Sequence, residues 1–138
     1  MSVISEEVKW SADQMVEVGL KEPDDFLKVR ETLTRIGVAS RKEKKLYQSC
    51  HILHKRGKYY ITHFKELFKL DGKPTNIDES DIGRRNTIVG LLEQWNLVSV
   101  VNKSQIEEPK APLSQIKIIP FKEKNDWKLT TKYSIGGN

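Results

Sequence analysis

Apolar positions alternate with polar ones in MVEVGL, residues 15–20, where Met15, Val16, Val18 and Leu20 supply the apolar side. That rhythm predicts a strand. Lys21-Glu22-Pro23 breaks it. Pro23 ahead of Asp24 and Asp25 predicts a helix start, because proline pre-sets φ and carboxylates favour the positive end of the helix dipole. Phe26, Val29, Leu33 and Ile36 then recur at spacings of three and four, a core-facing stripe that extends the helix to about Ile36, with Gly37 as its C-cap. A second stripe holds Lys28, Thr32 and Arg35. Its plain reading is a solvated face, with Glu31 and Arg35 as an i,i+4 pair. Its functional reading is two cations and a hydroxyl aligned for phosphates or base edges.

LYQSCHILHKRGKYYITHFKEL, residues 46–67, follows the basic connector ASRKEKK. It predicts two strands joined by a tight turn. A two-residue turn at Arg56-Gly57 pairs His54 with Tyr59, Ile52 with Ile61 and Cys50 with His63. Both sides of this ribbon are mixed, and the Cys50/Ile52/Ile61 side is the one expected to pack on the helices. Lys55, Arg56 and Lys58 crowd the turn, and Tyr59, Tyr60 and Phe64 follow. Cations beside rings suit single-stranded nucleic acid, the cations offsetting phosphate charge and the rings stacking on bases.

A second helix is expected from about residue 78, where Asn76 and Glu79 have capping-box spacing. Ile82, Val89, Leu92 and Trp95 make its inward stripe, widened by Ile88 and Leu91, and Asn96 ends it. Arg84 and Arg85 sit at the end that the dipole disfavours for cations, which points to an anion or a carboxylate partner. VSVV (98–101) predicts a short strand, residues 102–114 a loop, and QIKIIPF (115–121) and WKLTTKYSI (127–135) two returning strands. The fold class is therefore α+β: a ferredoxin-like split β-α-β-β-α-β unit with an added C-terminal β-hairpin. Residues 1–14 have no clear period and read as a flexible N-terminal extension to a single domain over residues 15–138.

Charge sharpens this picture. The 138 residues carry a net +5. Lys9 against Glu6, Glu7 and Asp13 makes residues 1–14 net −2, so the remainder carries +7. The basic character belongs to the domain and suits a polyanion partner. The longest apolar runs fall far short of the roughly 20 residues of a membrane span, so no membrane partner is expected. One cysteine, Cys50, cannot make an internal disulfide, which fits a reducing compartment.

Candidate chemistry is sparse. There is no phosphate-binding glycine loop. Cys50 with His51, His54 and His63 lacks the spacing of a zinc site, so no metal or other cofactor is expected. A Cys50/His63 nucleophile pair is geometrically conceivable, but a mid-strand cysteine is more often a small buried hydrophobe. Paired carboxylates at Asp24-Asp25 and Asp78-Glu79 are explained as helix starts. No catalytic residues are assigned. What remains is a surface of cations beside aromatics, including Phe121-Lys122, Trp127-Lys128 and Lys132-Tyr133.

KEPDDFLKVRETLTRIG (21–37), residues 46–67 and FKEKNDWKLTTKYSIGGN (121–138) closely resemble the RegA translational repressor family of T-even-type bacteriophages. The resemblance covers residues 15–138, weakly near 102–114. The family's usual start aligns on Met15, and its pattern has a tryptophan where Gly90 stands, implying a different packing of the second helix. The resemblance implies an RNA-binding protein, not an enzyme, in the cytoplasm of the infected bacterial host. Its expected partner is single-stranded mRNA: A/U-rich initiation regions of phage early messages, its own included, occupied in competition with the ribosome. A weak homodimer is compatible with it. The RNA-binding positions it implies are Lys28, Thr32 and Arg35 on the first helix, Arg84 or Arg85 and Trp95 on the second, and Phe121 and Lys122. The alternatives are a small ferredoxin-like nuclease using His51, His54 or His63, and a basic protein-interaction module.

Overall fold

The structure is a computed structural model that describes residues 15–40, 42, 45–64, 79–119 and 128–131. The N-terminal extension, Asn76 of the capping box, and Phe121, Lys122, Trp127 and Tyr133 lie outside the described residues.

Strand β1 (Val16–Gly19) leads to helix α1 (Asp25–Leu33), then β2 (Ile36–Ser40), β3 (Lys45–Gln48), β4 (Cys50–Lys55) and β5 (Lys58–His63). Helix α2 (Glu79–Gln94) and β6 (Ser99–Val100) follow. Two 3-10 turns (Lys103–Ile106 and Leu113–Gln115) precede β7 (Lys117–Ile118) and β8 (Lys128–Thr131).

The first sheet has the order β4-β5-β1-β6, and all its pairs are antiparallel. Within this sheet β1 and β4 are parallel with β5 between them, and β5 and β6 are parallel with β1 between them; α1 followed by β2 and β3 makes the first crossover, and α2 the second. That arrangement is compatible with the expected ferredoxin-like split unit. The core lies where the helices cover this sheet. Val16, Val18, Ile52, Ile61 and Val100 from the strands meet Val29 and Leu33 of α1 and Ile88, Val89 and Leu92 of α2. Fully burying each such side chain is worth about 1.5–3 kcal/mol.

The hairpin has the register that its turn predicts: Cys50 opposite His63, Ile52 opposite Ile61, His54 opposite Tyr59. Arg56 and Gly57 both have positive φ, 53° and 78°, as a type I′ turn requires. Cys50, Ile52 and Ile61 are buried, as expected. The ribbon is shorter than residues 46–67, however. Leu46 belongs to β3 in the other sheet, and β4 is an edge strand, with β5 inside.

The second sheet, β7-β2-β3-β8, corrects two expectations. Helix α1 stops at Leu33, and Ile36 and Gly37 enter β2 instead of ending the helix. Gly37 stands there because a Cβ on it would collide with the Tyr47 carbonyl oxygen of β3, which makes it a glycine of close approach and not a C-cap. The basic connector joins two paired strands, Ser40 lying opposite Lys45. The two C-terminal strands do not pair with each other as a hairpin. β7 adds antiparallel to β2, and β8 adds parallel to β3, so each covers one edge of the β2-β3 pair.

Helix α2 ends near Asn96, whose φ of 61° is the left-handed conformation common just past a helix. Its inward face is less apolar than expected. Asp81, Arg85 and Asn86 are buried beside Ile88, Val89 and Leu92, Ile82 is only half-buried, and Trp95 is 40% exposed. A Cβ at Gly90 meets nothing within 4 Å, so there is room for at least a methyl group at that position.

Candidate nucleic-acid interface

The expected stripe on α1 is only partly a helix face. Lys28 is exposed. The Thr32 hydroxyl donates back to the Lys28 carbonyl at 2.8 Å. Arg35 lies beyond the helix, its N–H bonded to the Thr32 carbonyl at 2.9 Å. Its side chain is buried, with Nη2 3.1 Å from Glu31 Oε1, so the plain i,i+4 pairing is present.

The two arginines of α2 divide. Arg85 turns inward, its Nε and Nη2 donating to Asn86 Oδ1 at 3.2 and 3.1 Å. Arg84 turns outward and is half-buried. Its Nη1 lies 3.3 Å from Asp81 Oδ1, and its Nη2 donates to the Ser80 hydroxyl at 2.9 Å. Buried Asp81 also lies 3.6 Å from His63 Nε2. This carboxylate offsets the misfit between cations and the positive end of the helix dipole. Trp95 sits at the far end of the helix, eleven residues on, or about 16 Å at ~1.5 Å per residue.

Arg84 opens onto a cleft of about 410 Å³. It is lined by Lys117, Ser80, Ser114 and Gln115, and by Val38 and Ala39 of β2. A second depression of about 280 Å³ shares Ser80 and Gln115 and is walled by Pro109, Ala111 and Pro112. That wall is tied to α2: Asn86 Nδ2 donates to the Pro109 carbonyl at 2.7 Å, the Thr87 hydroxyl to the Ala111 carbonyl at 2.7 Å, and the Ala111 N–H to the Gly83 carbonyl at 3.1 Å. Ser114, Gln115 and Lys117 were not singled out in the sequence. The available signal was weak: Ser114-Gln115 and Lys117 flank Ile116, which packs on the core.

The same segment approaches Arg35, since the Ile119 N–H donates to the Arg35 carbonyl at 2.8 Å. Arg84, the backbone of Arg35 and Ile119 are thereby gathered at one end of α2. Lys28 and Thr32 lie on the other helix, and Trp95 at the opposite end of α2.

The histidines have structural surroundings. His63 and Cys50 face each other across the ribbon, both buried. His54 stacks on Tyr59, ring centroids 4.5 Å apart, and Phe26 lies 5.7 Å from Tyr59. His51 packs 5.6 Å from Phe64. Burial, and then the nearby Arg30 charge, hold its pKa below the ordinary imidazole value. Among the described residues there is no group of three or more His, Cys, Asp or Glu side chains placed to hold a metal ion, and no helix long and apolar enough to cross a membrane.

Fold and surface together define a small α+β domain with a cationic, hydrogen-bonding cleft between α2 and its second sheet. Residues 15–136 match the family described as bacteriophage translational regulator. The chain is 52% identical over 122 residues to the translation repressor protein of Escherichia phage RB69, covering 88% of this chain and 99% of that protein. Identity is 51%, at the same coverage, to the translation repressor proteins of Enterobacteria phages T4 and T6. The chain belongs to the bacteriophage translational regulator family, as the resemblance of its three segments implied.

Proposed function

We propose that this regulator represses translation by binding A/U-rich, single-stranded initiation regions of phage early mRNAs, its own included. Bound there, it keeps the ribosome from the start site in the cytoplasm of the infected host. The observation that carries this reading is family membership spanning 99% of the length of relatives named translation repressors. The surface supports it. Lys28 and Arg84 are cations that reach solvent and suit phosphates. Trp95 offers a partly exposed ring, and Phe121 with Lys122 supplies a further ring and cation from outside the described residues. Thr32, Arg35 and Arg85 act in this reading as supports, through the Lys28 carbonyl, Glu31 and Asn86.

The reading is of a binder without a catalytic step, one chain per site, with a weak homodimer as a further state. Its test is a gel shift on an AUG-containing A/U-rich RNA against a scrambled duplex DNA, in magnesium. Intact, shifted RNA is the expected result. Cleaved RNA would support the nuclease alternative, and equal affinity for the duplex would leave only general charge attraction. Phe121→Ala should weaken binding on the order of tenfold, since one stacked base is worth about 1–3 kcal/mol.

A further inference from the structure

The cleft beside Arg84 has a charge pattern that its volume alone does not explain. Arg84 and Lys117 line the larger depression, and among the described residues no acidic side chain does. Asp81, which holds the Arg84 guanidinium, is buried beside it. The adjoining depression carries one cation, Lys110, and one carboxylate, Glu79, and its wall of Pro109, Ala111 and Pro112 is apolar. One end of the groove therefore suits an anion, and the other a flat uncharged ring. Gln115 and Ser80 line both, with donors and acceptors at the join.

We propose that this groove is a single-nucleotide subsite for RNA, an inference that rests on the RNA-binding reading above. The phosphate lies between Arg84 and Lys117. The base lies against the Pro109–Pro112 wall, and Gln115 faces the sugar or base edge between them. Arg84 is held by Ser80 and Asp81 before any ligand arrives, so meeting a phosphate costs its side chain little further ordering. The larger depression falls within the roughly 300–1,000 Å³ of small-ligand sites. Ser114, Gln115 and Lys117 thereby become RNA-contacting residues.

The experiment titrates the full chain with a fluorescently labelled A/U-rich, AUG-containing single-stranded RNA, with salt varied from about 50 to 200 mM. Lys117→Ala should lower affinity and flatten the log–log salt slope by about 0.7–1. Gln115→Ala should lower affinity and leave the slope unchanged. Ser114→Trp, which fills the cleft without altering charge, should lower affinity on the order of tenfold at unchanged slope. Circular dichroism melts identify any variant that fails to fold, and the exposed Gln115 position then decides the matter with Lys117. If these variants bind like the unmodified chain while Lys28→Ala and Phe121→Ala weaken binding, the subsite is overturned and the RNA reading stands. If the unmodified chain does not bind the RNA, both fall.

Discussion

Replacing Asn86 by alanine tests how the Pro109–Pro112 wall is held against α2. Asn86 is wholly buried. Its amide nitrogen donates to the Pro109 carbonyl at 2.7 Å, a bond between residues 23 apart in sequence. Its oxygen accepts from Nε and Nη2 of Arg85 at 3.2 and 3.1 Å. A neutral hydrogen bond contributes about 0.5–1.5 kcal/mol and one to a charged group about 1.5–3. With the forked arginine contact taken as one unit, truncation should cost about 3 kcal/mol. That is a large share of a stability of order 5–15 kcal/mol. Asn86→Asp separates the two halves. It keeps the acceptor for Arg85 but turns a second oxygen against the Pro109 carbonyl, so it should cost at least about 1–3 kcal/mol from that side alone. Urea denaturation followed by tryptophan fluorescence, at an unchanged m-value, measures both. A loss below about 0.5 kcal/mol for Asn86→Ala would refute this account of the wall.

The remaining predictions concern backbone and pH. Gly57→Ala should destabilise by about 1–2 kcal/mol, because φ is +78° there even though nothing crowds a Cβ, whereas Gly90→Ala should stabilise by about 0.5–1 kcal/mol, in mid-helix with open space beside it. Denaturation midpoints of opposite shift are expected, and shifts of the same sign would sink the argument. His51 has a folded-state pKa below its usual 6.5, so as pH falls below that value the unfolded chain takes up a proton first. Stability should therefore decline from about pH 6.5 down to the lower folded pKa and level off beneath it. His51→Gln should lose that part of the decline; an identical pH profile for the two proteins would count against burial as the cause.

The pairing of the hairpin was legible in the sequence because a two-residue turn containing glycine dictates which side chains face each other; the turn left the buried side open, because both sides are mixed. The β2-β3 pair was not, because Gly37 satisfies two patterns at once. Standing after an amphipathic stripe it looks like a helix cap, and only the approach of Tyr47 from β3 shows its other use. The phase of α2 was blurred for a different reason. Asp81, Arg85 and Asn86 face inward with partners, so apolar spacing alone could not tell Arg84 from Arg85 or bring Trp95 to the surface. The cleft carries no local motif. It is assembled from residues 38–39, 80–84 and 114–117, three stretches that only the two sheets and α2 bring together.

That dispersal bears on the path of an RNA strand. Residues 86–94, NTIVGLLEQ, contain no lysine or arginine, and their one charge is Glu93. A strand leaving the Arg84 cleft along α2 would run about 16 Å to Trp95, past Glu93, whose carboxylate lies 3.8 Å from the exposed Lys103 ammonium and offsets that cation. A strand leaving past Lys117 instead follows the segment that leads to Phe121 and Lys122. On the second path Arg84 and Lys117 would act together with Phe121 and Lys122, which follow Lys117 in the chain, and Trp95 would stand apart. Double substitutions distinguish the courses. Lys117→Ala with Phe121→Ala should cost less than the sum of the two single losses, because a strand detached at one loses hold of the other. Arg84→Ala with Trp95→Ala should be additive. The reverse pattern, coupling along α2 and additivity toward Phe121, would place the strand on the helix.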